Sequence, residues 1–108
     1  MSELPDSIFK RWVHSFEEDA GDVAVYRPRD YDFPLARGRR GLEFKKDGGF
    51  IEYRIGPTDA PLGVPGRWRS EGPNQVRIIF TDHRKSPYVL EIVYCDGELL
   101  KVRRSPPP

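Results

Sequence analysis

Apolar and polar residues alternate along this chain in short runs, the period-two spacing of strands with one buried face. Trp12, His14 and Phe16 share one parity of the first run, and Val76, Ile78 and Phe80 share one parity of a later run. Proline donates no hydrogen bond to a sheet, so Pro28, Pro34, Pro57, Pro61, Pro65, Pro73 and Pro87 mark places where strands stop. The windows between them predict eight strands, at about 11–18, 22–27, 40–46, 49–56, 65–71, 75–81, 88–95 and 98–104. Before the first, Leu4–Phe9 is expected to form one short helical turn with Pro5 at its start. No longer segment has the apolar spacing of a helix.

Two Asp-Gly pairs, Asp47-Gly48 and Asp96-Gly97, predict tight hairpins, because glycine adopts the positive φ such turns need. A two-residue loop at the first pairs Phe44 with Ile51 and Leu42 with Tyr53. It puts Leu42, Phe44, Ile51, Tyr53 and Ile55 on the inner face and sends Glu43, Lys45, Glu52 and Arg54 to water. At the second, a three-residue loop keeps the apolar sets together by pairing Ile92 with Leu100 and Leu90 with Val102. Its inward set is Tyr88, Leu90, Ile92, Tyr94, Leu100, Val102 and Arg104, with Trp68 pointing inward from the fifth strand. Eight strands joined mostly by short connections describe an up-and-down antiparallel β-barrel, an all-β fold whose closure removes exposed sheet edges. One domain is expected over 1–104, followed by a flexible proline-rich tail at 105–108.

Composition supports an all-β chain: thirteen aromatics, 11 prolines and 10 glycines among 108 residues suit a ring-built core with many turns. Eighteen Lys plus Arg against seventeen Asp plus Glu leave a net charge of +1, which gives no global pull toward nucleic acid or an anionic membrane. Cys95 is the only cysteine, so an internal disulfide is impossible. The N-terminus lacks the basic start and apolar run of a signal peptide, and no run reaches membrane-spanning length. A cytoplasmic location is therefore expected.

Candidate chemistry is sparse. There is no phosphate-cradling glycine loop and no nucleophile elbow, and two distant histidines, His14 and His83, with one cysteine predict no metal site. No cofactor and no catalytic residue is assigned. The most biased segment is the connection from Pro28 to Arg39, where Arg29, Arg37 and Arg39 sit among Tyr31, Phe33, Asp30 and Asp32. It is either a surface for an anion or an acidic protein partner, or a solvated loop whose rings cap the barrel.

The residues Phe9–Glu18, Leu42–Phe50, Gly66-Arg67-Trp68 and Glu98–Arg104 together resemble the small bacterial lipocalin-like proteins of the calycin group. In lipocalins a first-strand tryptophan, preceded two residues earlier by glycine, packs near an arginine at the end of the last strand. The resemblance implies those roles for Trp12 and Arg104, with Lys10 in the glycine position. A simple meander would bring the same two residues together, as a structural latch worth about 0.5 to 2 kcal/mol.

A barrel of this size either holds one small ligand or fills its interior with side chains. The ring-rich inner face and the short mouth turns favour a small hydrophobic or amphipathic ligand inside, with His14, Phe16, Phe44, Tyr53, Trp68 and Tyr94 as candidate ligand-binding residues. Phe16, Phe44, Ile51 and Tyr94 would form the mouth, and His14, Tyr53 and Trp68 would lie deeper as polar handles. Two alternatives stand beside it. One is a filled barrel that recruits a protein through the 27–40 segment. The other is a calycin-type isomerase or cyclase guided by His14 or Tyr53.

Overall fold

A computed structural model describes residues 4–36, 38–57 and 60–105. Arg37 and the tail beyond Ser105 lie outside the described residues. The strands are β1 (Arg11–His14), β2 (Val23–Pro28), β3 (Gly41–Phe44), β4 (Gly49–Ile55), β5 (Pro61–Gly72), β6 (Gln75–Phe80), β7 (Tyr88–Cys95) and β8 (Leu100–Ser105). They close a single eight-stranded antiparallel barrel, the fold class expected from the sequence. The expected N-terminal turn is a 3-10 turn at Asp6–Ile8. The first strand is shorter than expected, because the chain turns into a second 3-10 turn at Phe16–Glu18.

From β3 to β8 the chain is the expected meander, but the first hairpin enters the ring in exchanged order. β1 pairs with β3, and β2 rather than β1 pairs with β8. Both β2 and β3 run antiparallel to β1, so they point the same way. Their connection must travel back along the barrel, which is the geometric reason for a long segment between Pro28 and Arg40.

Arg39 anchors this return. Its guanidinium donates to both Glu17 carboxylate oxygens, at 2.8 and 2.6 Å, and to the carbonyls of His14 and Pro34. It also lies over the rings of Phe16 and Phe33, 4.6 and 4.7 Å from their centres.

Both hairpin registers differ from expectation. At the first, Phe44 pairs with Phe50 and Leu42 with Glu52. The amide of Lys45 donates to the Gly49 carbonyl, leaving a three-residue loop in which Gly48 has φ +96°. That one-residue slip turns β4 over. Phe50, Glu52 and Arg54 now share the inner parity, while Ile51, Tyr53 and Ile55 face outward. At the second, Cys95 pairs with Leu100 and Ile92 with Val102, with a bulge between Ile92 and Tyr94. The bulge keeps Tyr88, Leu90, Leu100 and Val102 in the core and leaves Tyr94 on the surface.

Prolines enter strands more than expected: Pro28 and Pro61 lie in β2 and β5, and Pro65, expected to open a strand, lies inside β5. Pro65 is tolerated because its main chain faces the side where β6 has ended: its carbonyl accepts from Thr81, one residue beyond that strand.

One end of the barrel is plugged. Leu4 and Ile8 from the N-terminal segment join Trp12, Phe44, Phe50 and Leu100 in the buried core. The Trp12 indole donates to the Ile8 carbonyl at 3.0 Å, and the Lys10 ammonium donates to the Gly97 carbonyl at 2.8 Å across the base. Trp12 and Arg104 do not meet. With β2 inserted between their strands, the cation over Trp12 is Lys10, at 5.3 Å, and Arg104 stacks instead on Tyr88, at 3.7 Å.

Candidate functional site

The exchange of β1 and β2 decides which end of the barrel is open. In a simple meander, the connections after strands one, three, five and seven share an end. Here the chain leaves β1 at the end where β3 begins, while the hairpins after β3 and β7 lie at the plugged end. The expected mouth set therefore mixes two ends of the molecule. Phe16, just after β1, lies at the open end, whereas Phe44, Ile51 and Tyr94 lie toward the base.

At the open end a cavity of about 140 Å³ reaches into the barrel. Its apolar walls come from Ala24 of β2, Leu42 of β3, Leu90 of β7 and Val102 of β8, all inward by alternation. Its aromatic walls are Tyr26 and Tyr88, its charged groups are Arg40, Glu52, Arg54 and Arg104, and His14 adds an imidazole. A cavity of roughly 150 Å³ lined by Leu, Ile and Phe holds a benzene molecule, so this space fits a single ring.

Glu52 is the pivot of the polar set. Although charged, it is only 8% exposed, and burial of a carboxylate is tolerable only when it is partnered. The Tyr88 phenol donates to its Oε2 at 2.8 Å and Arg54 Nε donates to its Oε1 at 2.6 Å. Arg104 Nη1 lies 3.9 Å from Oε2, in ion-pair range but too far for a hydrogen bond. Burial, reinforced by the Glu52 charge, raises the Tyr88 phenol well above the usual tyrosine range. Burial likewise pushes Tyr26 up to about 12, with the Glu52 charge adding to it. Both phenols are therefore protonated donors at neutral pH.

His14 packs on Tyr26, with ring centres 5.0 Å apart. Its Nε2 lies 2.9 and 3.1 Å from the two Asp19 oxygens, and Asp19 also accepts the Val25 amide. That carboxylate fixes the ring orientation. Close by, Glu18 accepts Ser15 Oγ and a bidentate contact from Arg27. Arg27 first, and Ser15 after it, hold the Glu18 carboxyl down at about 2.

Of the six residues expected to bind a ligand, His14 and Tyr53 border the cavity. The Tyr53 side chain is nevertheless engaged on the outer face, where its phenol donates to Glu43 at 2.6 Å and Arg11 lies over its ring at 4.0 Å. Phe16 is surface-exposed under Arg39. Phe44 is buried against Phe50 in the plugged half. Trp68 packs on Phe9 and donates its indole N–H to the Lys45 carbonyl, also at the base. Tyr94 is exposed and donates to Asp96.

The arginine-rich segment divides as well. Arg39 is committed to the return connection, Arg29 is exposed, and Arg37 lies outside the described residues. Tyr26, Arg40, Glu52 and Arg54 were not singled out as site residues from the sequence. The available signal was the Lys46-Asp47-Gly48 triplet, which also suits a three-residue turn with glycine at its positive-φ position.

No family model matches this chain, and neither does any curated protein or solved structure. Among the described residues, no helix is long and apolar enough to cross a membrane, and no group of three or more His, Cys, Asp or Glu is placed to hold a metal ion.

Proposed function

We propose that this protein is a lipocalin-like binding protein whose open-end cavity takes one small amphipathic molecule, about the size of a single ring. The observation that carries this reading is the cavity itself: space inside the barrel, walled by Leu42, Leu90 and Val102 and by two tyrosine rings, with charged groups at its rim. Removing apolar surface from water would drive binding, and the polar rim would orient the ligand. Reaction chemistry has less support. His14 and Asp19 form an oriented pair, but such a pair becomes a base only beside a substrate whose reacting atom it can reach.

The test is a thermal-shift series of single-ring amphipathic compounds on the wild type and on Val102→Phe, which places a ring in the cavity. A ligand at ten times its Kd stabilises by about 1.4 kcal/mol, which raises Tm by several degrees in a domain of this size. Compounds that stabilise the wild type should leave Val102→Phe unmoved. Equal shifts in both proteins, or no shift with any compound, would overturn the reading.

A further inference from the structure

Hydrogen-bonding capacity left over in the cavity is strongly one-sided. Each Glu52 oxygen already receives a hydrogen bond, one from Arg54 Nε and the other from the Tyr88 phenol. Asp19 is occupied by His14 and by the Val25 amide. What is unspent is made of donors. The Arg40 side chain and the Tyr26 phenol have no hydrogen-bond partner among the described residues. Arg54 uses only its Nε, and the closest approach of Arg104 to an acidic group is its 3.9 Å contact with Glu52. Among the described residues that line the cavity, three guanidiniums thus stand against one carboxylate.

Two of those guanidiniums are held in place. Arg104 is stacked on Tyr88, and Arg54 is fixed through Nε to Glu52, so little side-chain freedom remains to be lost when a ligand arrives. Their side chains are 57% and 40% exposed, which puts the charged heads at the rim while Glu52, at 10%, lies beneath. A low-dielectric wall behind such a rim focuses positive potential into the opening.

Building on the small-molecule reading, we infer that the ligand is a small organic carboxylate: an anionic head met by Arg40, Arg54 and Arg104, and a single-ring or short branched body seated among Leu42, Leu90 and Val102. A cationic ligand would have to compete for acceptors already taken. A neutral one would bring no charge to the unspent guanidinium N–H groups, and bidentate arginine–carboxylate contacts are among the stronger polar interactions available.

Isothermal titration of the full chain with benzoate, benzamide and benzylamine separates these cases, because the three share a ring and differ in charge. The expected result is benzoate binding at least about tenfold tighter than benzamide, with benzylamine weakest. Arg40→Gln, at a side chain with no hydrogen-bond partner among the described residues, should weaken benzoate about tenfold while leaving benzamide unchanged, and Arg104→Gln should do the same. Benzamide or benzylamine binding as well as benzoate would overturn the carboxylate inference while leaving the cavity reading standing. Benzoate binding unaltered in both arginine variants would overturn the arginine assignment. Failure of all three compounds to bind would overturn both readings together.

Discussion

Glu18 and Glu52 show how a carboxylate's neighbours set its role. Glu52 is buried and bound by Tyr88 and Arg54, so it organises the cavity. Glu18 lies near the surface, where Arg27 and Ser15 lower its carboxyl to about 2 from an ordinary 4.5. The unfolded chain therefore takes up the proton more readily than the folded one. The stability this contributes is present above about pH 4.5 and is lost as pH falls toward 2. Urea unfolding of the wild type and Glu18→Gln should show the wild type more stable at pH 7, with the gap narrowing at about pH 3. A gap that is constant with pH would mean that the pair contributes nothing through ionisation.

The elements were legible where alternation is unambiguous and illegible where two apolar residues adjoin. Val76, Ile78 and Phe80 could be assigned inward from sequence because Gln75 and Arg77, on the opposite parity, flank Val76 and outweigh the single apolar competitor Ile79; they are buried as expected. Phe50 and Ile51 are both apolar and adjacent, so parity alone cannot say which faces in, and one residue of loop length decides it. The same slip hid the site, since it moves Glu52 and Arg54 from the water side to the cavity.

At Tyr94 the bulge in β7, invisible in a residue pattern, turned an expected inner ring outward. Contact between β1 and β3 imposes its own demand: a Cβ at Gly41 would lie 2.5 Å from the Trp12 carbonyl oxygen, so only glycine lets the strands approach. Gly41→Ala should cost about 1 to 3 kcal/mol in urea unfolding, as overpacking does elsewhere. An unchanged midpoint would show that this junction yields freely.

Over the whole molecule, the fold class followed from the sequence, but the ring order did not. Alternation fixes which face of a strand is buried, while strand neighbours depend on long-range pairing that leaves no local trace. The long segment after Pro28 was the one hint, read as a possible binding surface when its geometric task is to carry the chain back along the barrel to β3. With β2 taking the place of β1 beside β8, Arg104 is freed from Trp12 and stands with Tyr88 at the open end. The barrel thus has a dry, plugged half that supplies the core and an open half with the charged rim.

That division can be tested residue by residue, by amide chemical-shift mapping of the isotope-labelled protein during titration with benzoate and, separately, benzyl alcohol. The largest shifts for at least one of them should fall on Ala24, Tyr26, Leu42, Leu90 and Val102, the strands around the open-end cavity. Shifts confined to the plugged end near Tyr94 and Cys95 or to the outer faces of the strands, or no shifts with either compound, would contradict a binding site inside this barrel.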